Sequence, residues 1–215
     1  FNSLSSKNAP YTAHKLSQIW APFLLVAFFI RVKIENKHYI DPTKTYVFVS
    51  NHQSQLDILI SAVSCKNIFR FLAKIELIKI PVIGYVIKKL YIPVNRKNPQ
   101  ERTKSVERMM DSLKDGISVW IYPEGTRNKT TDSLLPFFDG AFRLAIESKK
   151  PLAVLCTLNS GKLLSPSKLF DLSPGTIYCE WSEPISTINL NSEDLQNLKS
   201  SVQSMMSRVI EAGKK

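Results

Sequence analysis

The sequence predicts an α/β fold with a largely parallel central sheet covered by helices. Short runs of β-branched and apolar residues alternate with longer segments of helical periodicity, and this alternation is typical of a sheet with helices on both faces. A length of 215 residues fits one domain. Because no repeat or Gly/Ser-rich linker interrupts the sequence, residues 32–215 are expected to fold as a unit.

The individual elements follow from periodicity and from turn residues. The clearest helix spans Pro99–Lys114, because a proline begins it, Gly116 follows it, and its apolar residues recur on one face. A Pro/Ser-rich stretch at 160–174 is predicted to be a surface loop. Strands are predicted at 32–35, 46–50, 68–72, 91–94, 117–122, 152–158 and 176–181, and further helices at 55–64, 83–89, 141–148 and 192–212.

The N-terminal residues 1–31 contain an intensely apolar run at positions 19–30. A helix that crosses a bilayer needs about twenty residues, so this run is too short to cross alone. Basic residues bracket the run and Trp20 lies within it, which suits a segment that lies in the headgroup region. We therefore predict an N-terminal apolar membrane-docking helical segment at residues 1–31. The alternative is a buried core helix with Pro22 in its first turn.

The chain is strongly basic, with 29 Lys and Arg against 18 Asp and Glu and a net charge of +11. Such an excess favours polyanionic partners, among them nucleic acid, anionic lipid and phosphorylated cofactors. The basic residues are dispersed, and no zinc, homeodomain or RNA-recognition motif is present. We therefore expect a membrane surface and phosphorylated ligands, and no nucleic acid, as partners.

The three cysteines, Cys65, Cys156 and Cys179, are widely spaced and form no C-x-x-C pair. This pattern suggests neither a disulfide framework nor a zinc site, and no other metal-binding cluster is evident. We expect each cysteine to act as a small buried hydrophobic residue. A reducing location fits best, so the predicted localisation is the cytoplasmic face of a membrane.

Residues 51–57 (NHQSQLD) leave a predicted strand and enter a predicted helix. An Asp57 carboxylate in the first helical turn can turn back toward His52 and accept the hydrogen of its Nδ1 atom. That contact fixes the tautomer and leaves Nε2 free to take a proton. The alternative is a simple turn in which Asp57 complements the helix dipole. His14 and His38 lack a nearby carboxylate in the sequence and are expected at the surface.

A second motif, residues 122–127 (YPEGTR), directly follows another predicted strand. Gly125 allows backbone to approach a ligand closely, and Arg127 offers a planar fork for phosphate oxygens. Glu124 is expected to hold a substrate hydroxyl or a backbone amide. Ordinary turn chemistry is the alternative reading of this motif. A third strand end presents Arg96, and Lys74 is a further candidate for substrate binding, with a plain surface charge as its alternative.

These residues resemble the glycerolipid acyltransferases, whose fingerprints N-H-x-x-x-x-D and [FY]-P-E-G-T-R both match in full. Three supporting segments, 73–85, 93–96 and 137–147, extend the resemblance over about residues 47–158. The Pro151 segment departs from the family pattern in lacking a second proline. The resemblance implies that His52 is the catalytic base with Asp57 as its partner. It also implies that the acyl acceptor is bound by Arg96, Glu124, Gly125, Thr126 and Arg127.

The expected reaction moves an acyl chain from a thioester, either acyl-CoA or acyl-carrier protein, to the sn-2 hydroxyl of 1-acyl-sn-glycerol 3-phosphate. The thioester donor and the lipid acceptor are both substrates, and no bound cofactor is expected. The open alternatives are another acceptor, such as glycerol 3-phosphate or a different lysolipid, and a non-catalytic lipid-binding protein. A covalent route through Ser54 or Cys65 is a further alternative, although neither lies in a G-x-S-x-G elbow.

Overall fold

The computed structural model describes residues 9–75, 91–94, 98–167 and 171–213. In these residues seven strands form one sheet, in the order β1-β7-β6-β2-β5-β3-β4. The strands are β1 (Ile30–Glu35), β2 (Val47–Ser50), β3 (Phe69–Lys74), β4 (Ile92–Val94), β5 (Ser118–Ile121), β6 (Leu152–Leu158) and β7 (Gly175–Trp181). The helices are α1 (Ala9–Ala27), α2 (Leu56–Ser64), α3 (Pro99–Lys114), α4 (Gly140–Ser148), α5 (Ser160–Leu163) and α6 (Leu195–Ala212), with 3₁₀ turns at Lys37–Tyr39 and Ser192–Asp194.

The sheet is parallel except where β6 meets β7. Every residue of β2 and β6 is buried, as expected for central strands covered on both sides. Because β2, β3, β4, β5 and β6 run in the same direction, their carboxyl ends meet at one edge of the sheet. This edge is where ligands gather in open α/β sheets. The predicted α/β class with a largely parallel sheet is confirmed.

Alternation along the strands divides the interior into two cores. Val47 and Val49 face one core, which α3, α4 and α6 cover. Phe48, between them, faces the other core, which α1 and α2 cover and which is rich in stacked aromatic rings such as Trp120 and Trp181. The sheet thus lies between two helical layers, and its central strands are held rigidly from both sides.

Most predicted elements are confirmed, α3 to the residue. The predicted surface loop at 160–174 is partly wrong: it begins with α5, Ser160 and Leu164 are buried, and Leu164 pairs with Leu172. Its first residues fold inward because Leu164 joins the aromatic core. The helix predicted at 83–89 lies outside the described residues.

The N-terminal helix α1 starts ten residues before the apolar run at 19–30 and ends at Ala27. The last residue of that run, Ile30, already belongs to β1 and pairs with Gly175, so the predicted boundary at residue 31 falls within this strand. One side of α1 packs on α2. The other side leaves several large apolar side chains exposed, namely Leu16, Ile19, Trp20, Phe23 and Val26. Among the described helices, none combines the length and apolarity needed to cross a membrane.

His14 was expected at the surface, and this prediction is wrong. The side chain is buried where α1 packs against the sheet, with its ring edge-on to Phe69. Burial lowers the pKa of His14 to about 4, and Gln18 bonds its Nε2 atom. The prediction was wrong because it rested on the polar neighbours of His14 in the sequence. These neighbours do not show that His14 lies on the side of α1 that faces the sheet. His38 is exposed, as predicted.

Candidate active site

The candidate site begins where β2 ends. Asn51, which is fully buried, makes a double hydrogen bond with the backbone of Thr157 on the neighbouring strand. Its amide nitrogen donates to the Thr157 carbonyl oxygen and its amide oxygen accepts from the Thr157 N–H, both at 2.8 Å. These bonds fix the backbone immediately before His52. Asn51, the asparagine of the first motif, therefore holds the backbone next to His52 in place.

His52 and Asp57 form the predicted pair. The His52 Nδ1 atom lies 2.8 Å from Asp57 Oδ2. The same oxygen accepts the backbone N–H groups of Gln53 and Ser54, also at 2.8 Å. Asp57 is 2% exposed, and these three bonds join its carboxylate to the His52 ring and to the backbone that follows His52. With Nδ1 donating, Nε2 of His52 is left as the proton acceptor.

The carboxylate of Glu124 joins the second motif to the first. Its Oε1 accepts the backbone N–H of His52 at 2.7 Å, and its Oε2 accepts the N–H of Leu135 at 2.9 Å. The residue is buried, and burial raises the pKa of its carboxyl to about 7, although both backbone bonds act in the opposite direction. Of the two partners expected for Glu124, the structure shows the backbone amide. Its contact with an acceptor stays a prediction.

An aromatic ring of the second motif packs on His52, and no role was predicted for this ring from the sequence. The rings of His52 and Tyr122 are stacked, with 4.0 Å between centroids and 17° between planes. The Tyr122 hydroxyl bonds Ser61 on α2, and burial raises the pKa of Tyr122 well above its ordinary value. In the sequence, the indication of this ring contact was that the second motif begins with an aromatic residue.

The remaining residues of the second motif differ in exposure and backbone conformation. Gly125 has a φ of +69°, a conformation that glycine adopts without strain, and Thr126 is exposed. The Nη1 atom of Arg127 is buried, and within the described residues it has no hydrogen-bond partner. A buried guanidinium nitrogen without an acceptor is costly, so this nitrogen is suited to an anionic ligand.

The other two predicted substrate-binding residues are described in part or not at all. The backbone of Lys74 is paired with Val94 at the carboxyl ends of β3 and β4, the edge on which His52 and Arg127 also lie. The Lys74 side chain and the whole of Arg96 lie outside what the structure describes. Their roles remain predictions.

Neither candidate for a covalent route is suited to it. The Oγ of Ser54 is buried and donates to the carbonyl oxygen of Leu164 at 2.8 Å, so the hydroxyl is already committed. Burial raises the pKa of the Cys65 thiol to about 12, which removes the reactive thiolate at neutral pH. All three cysteines are free. In the described part of the chain, no cluster of His, Cys, Asp and Glu suits a metal ion.

Comparison with known proteins agrees with this geometry. The family model described as Acyltransferase matches residues 31–157, more than half of the chain. The chain belongs to the acyltransferase family. The resemblance seen in the two motifs is thereby confirmed.

Three curated relatives of this acyltransferase-family chain carry the same enzyme name. A chloroplastic 1-acyl-sn-glycerol-3-phosphate acyltransferase of Brassica napus is 30% identical over 174 residues, covering 80% of this chain and 50% of its own. The mouse alpha enzyme of the same name is 32% identical, covering 82% and 62%. A Saccharomyces cerevisiae enzyme of that name is 30% identical, covering 76% and 54%. The chain spans about half to three fifths of the length of these relatives.

A solved structure supports the fold. The crystal structure of PlsC from Thermotoga maritima, titled a 1-acyl-sn-glycerophosphate acyltransferase, superposes with a TM-score of 0.80. The match covers 97% of this chain and 82% of that one, at 24% sequence identity. The two chains therefore share their fold.

Proposed function

We propose that this chain transfers an acyl group from an acyl thioester to the free sn-2 hydroxyl of 1-acyl-sn-glycerol 3-phosphate, making phosphatidic acid. The observation that supports it best is the His52–Asp57 pair, with its 2.8 Å contact, next to the motif that provides the unpartnered Nη1 of Arg127. A base and an anion-binding group at one sheet edge suit a phosphate-bearing alcohol. The printed names of the relatives agree with this acceptor.

In the proposed mechanism, neutral His52 removes the proton of the acceptor hydroxyl through Nε2 as the oxygen attacks the thioester carbonyl carbon. The negative charge passes to the carbonyl oxygen while the imidazolium is stabilised by Asp57. When the tetrahedral intermediate collapses, the C–S bond breaks and the imidazolium returns its proton to the leaving thiolate. An ester and a free thiol result, and no covalent acyl-enzyme forms. This fits the committed hydroxyl of Ser54 and the suppressed thiolate of Cys65.

In the proposed acceptor complex, the phosphate binds on the β5, β3 and β4 side of His52. Arg127 follows β5, Lys74 ends β3, and Arg96 follows β4 in the sequence, and we assign the phosphate to these three cations. Gly125 and Thr126 line the approach, and Glu124 holds the loop that bears His52. The acyl donor is acyl-CoA or acyl-carrier protein. Glycerol 3-phosphate and other lysolipids remain the alternative acceptors.

The decisive experiment measures thiol release by purified protein in mixed micelles with acyl-CoA and the lysolipid. We expect release that depends on the acceptor and falls by at least about 10²-fold in His52→Ala. His38→Ala is the matched control, because His38 is exposed and distant in sequence from both motifs, and we expect its rate to equal the wild-type rate. Equal rates for His52→Ala and wild type would remove His52 as the base. A wild-type protein inactive with every acceptor and donor would favour the lipid-binding alternative.

The proposed membrane contact is the exposed apolar side of α1. Ile19 and Phe23 are each 71% exposed, and Val26 is 73% exposed, whereas Ala21 and Leu25 on the opposite side are buried. A helix of this kind binds in the interface in proportion to the apolar area it inserts. The chain would then act at the cytoplasmic face, which suits a lipid acceptor and a water-borne donor.

Vesicle flotation tests this contact. Ile19→Ser with Phe23→Ser is expected to release the protein from vesicles of phosphatidylcholine and phosphatidylglycerol, while thiol release from soluble substrates stays within about twofold. Ile188→Ser is a suitable control, since Ile188 is 67% exposed but lies between β7 and α6. Unchanged flotation of the double variant would refute the proposed contact.

A further inference from the structure

A cavity adjoins the loop that bears His52. It measures about 350 Å³, at the lower end of the range found for ligand sites. Gln53, the residue after His52, lines it. So does Asn128, whose backbone N–H donates to the His52 carbonyl oxygen at 2.7 Å. The cavity therefore begins one residue from the base.

The cavity lies over the β2–β6 part of the sheet edge, and the 128–133 loop reaches it from β5. β2, which delivers His52, has β5 as its neighbour on one side and β6 on the other. The cavity is lined by Leu158 at the end of β6, by α5 residues and by the 128–133 loop. An acyl transfer needs two substrates to meet at one base, and they must approach from different sides. The β6 side remains for the second substrate.

The loop that forms one wall is built from local hydrogen bonds. The Asn128 side-chain oxygen accepts from both the N–H and the hydroxyl of Thr130, at 2.9 and 2.8 Å. Its side-chain nitrogen donates to the Asp132 carbonyl oxygen at 2.8 Å. Because Asn128 also contacts the His52 backbone, the wall and the base are held in one arrangement.

The opposite wall approaches the base loop closely at Gly161. A Cβ atom at this position would lie 3.2 Å from both the Cβ and the carbonyl oxygen of Gln53, tighter than ordinary van der Waals contact. The missing side chain thus lets the start of α5 rest directly against the backbone beside His52. The start of α5 and the loop that bears His52 thus form adjoining parts of the cavity wall.

The lining has the chemistry of a phosphate-bearing, partly polar ligand. Lys129 and Lys162 line the cavity and are exposed, and Asp132 is the single acidic lining residue. Hydroxyl and amide groups alternate with the apolar surfaces of Leu158 and Ile210. A pantetheine arm joins amides, short apolar stretches and a phosphate, and so matches this mixture of groups.

We infer that this cavity binds the phosphate-bearing carrier of the acyl thioester, with Lys129 and Lys162 holding the phosphate next to the pantetheine arm. The inference rests on the proposed acyl transfer and names the donor site within it. Coenzyme A and the prosthetic group of acyl-carrier protein share this phosphopantetheine chemistry. The carrier would extend through the cavity so that its thioester reaches His52 from the β6 side.

The test compares Lys129→Gln/Lys162→Gln with the wild type at saturating lysolipid. We expect the KM for acyl-CoA to rise about tenfold, the combined effect of two partly screened charge-assisted contacts, while kcat and the acceptor KM stay within about twofold. The matched control is Lys44→Gln/Lys114→Gln, which removes the same charge from exposed positions before β2 and β5. Its KM values are expected to be unchanged.

Three further donors separate the sources of the phosphate. Acyl-pantetheine, which lacks phosphate, is expected to show the same KM with both proteins. Acyl-phosphopantetheine is expected to lose as much as acyl-CoA does if the phosphate next to pantetheine is what the lysines bind. Acyl-carrier protein tests the protein-borne form of the same group. A larger acceptor KM with an unchanged donor KM would place the acceptor headgroup in this cavity and overturn the inference.

Equilibrium dialysis with free coenzyme A separates failure of the inference from failure of the proposed function. If the wild type shows no transfer, the proposed function fails, yet the dissociation constant for coenzyme A still tests the cavity. We expect it to rise about tenfold in Lys129→Gln/Lys162→Gln and to stay unchanged in Lys44→Gln/Lys114→Gln. Equal binding by all three proteins, or no binding by any, would overturn the inference.

Discussion

Replacing Tyr122 tests whether the stacked ring assists the base. In Tyr122→Leu the 4.0 Å stack on His52 is lost, whereas Tyr122→Phe keeps the ring and loses the hydroxyl contacts with Ser61 and Ser50. During the reaction His52 becomes cationic, and an aromatic face next to a desolvated cation contributes about 1–2 kcal/mol. We therefore expect kcat to fall about 5- to 30-fold in Tyr122→Leu. The rate of Tyr122→Phe is expected to stay within about threefold.

Phe71 provides the matched control for loss of packing. Its ring is parallel to that of Tyr122, with centroids 6.1 Å apart, on the side of the aromatic core. Phe71→Leu and Tyr122→Leu are each expected to cost about 1–3 kcal/mol in the free energy of unfolding. Only Tyr122→Leu is expected to lower kcat substantially, at saturating concentrations of both substrates. Equal loss of kcat in the two leucine variants, or none in Tyr122→Leu, would refute the role assigned to the stack.

Three other predictions concern groups around the base. Asp57→Asn keeps an oxygen for the N–H groups of Gln53 and Ser54 but removes the charge next to His52. We therefore expect single-turnover rates to fall by about 10³–10⁴, with little change in urea unfolding. A rate within tenfold of the wild-type rate would contradict this expectation. Arg127→Gln is expected to raise the acceptor KM about 10- to 100-fold, because a charge-assisted contact is lost, and to leave kcat within about threefold; an unchanged KM would remove Arg127 from the phosphate site. For Glu124, burial raises the carboxyl pKa from 4.5 to about 7, so the folded state binds the proton more tightly than the unfolded state does. The resulting stabilisation of the folded state is fully present below pH 4.5 and is lost as the pH rises to about 7. Urea titrations are expected to show this fall of roughly 2–3 kcal/mol in the wild type and a flatter profile in Glu124→Gln, and equal profiles would refute it.

The parts of the site that the sequence could predict are local ones. His52 and Asp57 are five positions apart, and a strand followed by a helix is enough to bring them together. The parallel sheet could likewise be predicted, since buried strands and amphipathic helices show their periodicities within short windows. Arg127 could be predicted at the carboxyl edge of the sheet in the same way, because its motif directly follows a buried strand.

The contacts that could not be predicted join residues distant in sequence. The Glu124 carboxylate accepts from a backbone N–H of His52, 72 positions earlier, and Asn51 pairs with backbone atoms 106 positions later. The partner in each contact is a backbone group. Because nearly every residue type carries the same backbone groups, the sequence does not show which position a side chain will pair with. His14 shows a related difficulty, because the burial of a polar residue depends on which side of α1 meets the sheet.

The second motif serves both sides of the reaction, because β5 lies directly next to β2. The chain that leaves β5 passes next to the loop that leaves β2. The ring of Tyr122 therefore reaches the ring of His52, and the carboxylate of Glu124 reaches the backbone of His52. Three residues further on, the Nη1 atom of Arg127 is buried and has no hydrogen-bond partner among the described residues. Under the proposed function the motif is divided by position: its first residues hold His52, and its last residue binds the phosphate. This division explains why a single hexapeptide is suited to govern both the rate of proton transfer and the affinity for the acceptor, and why substitutions at its two ends are expected to separate kcat from KM.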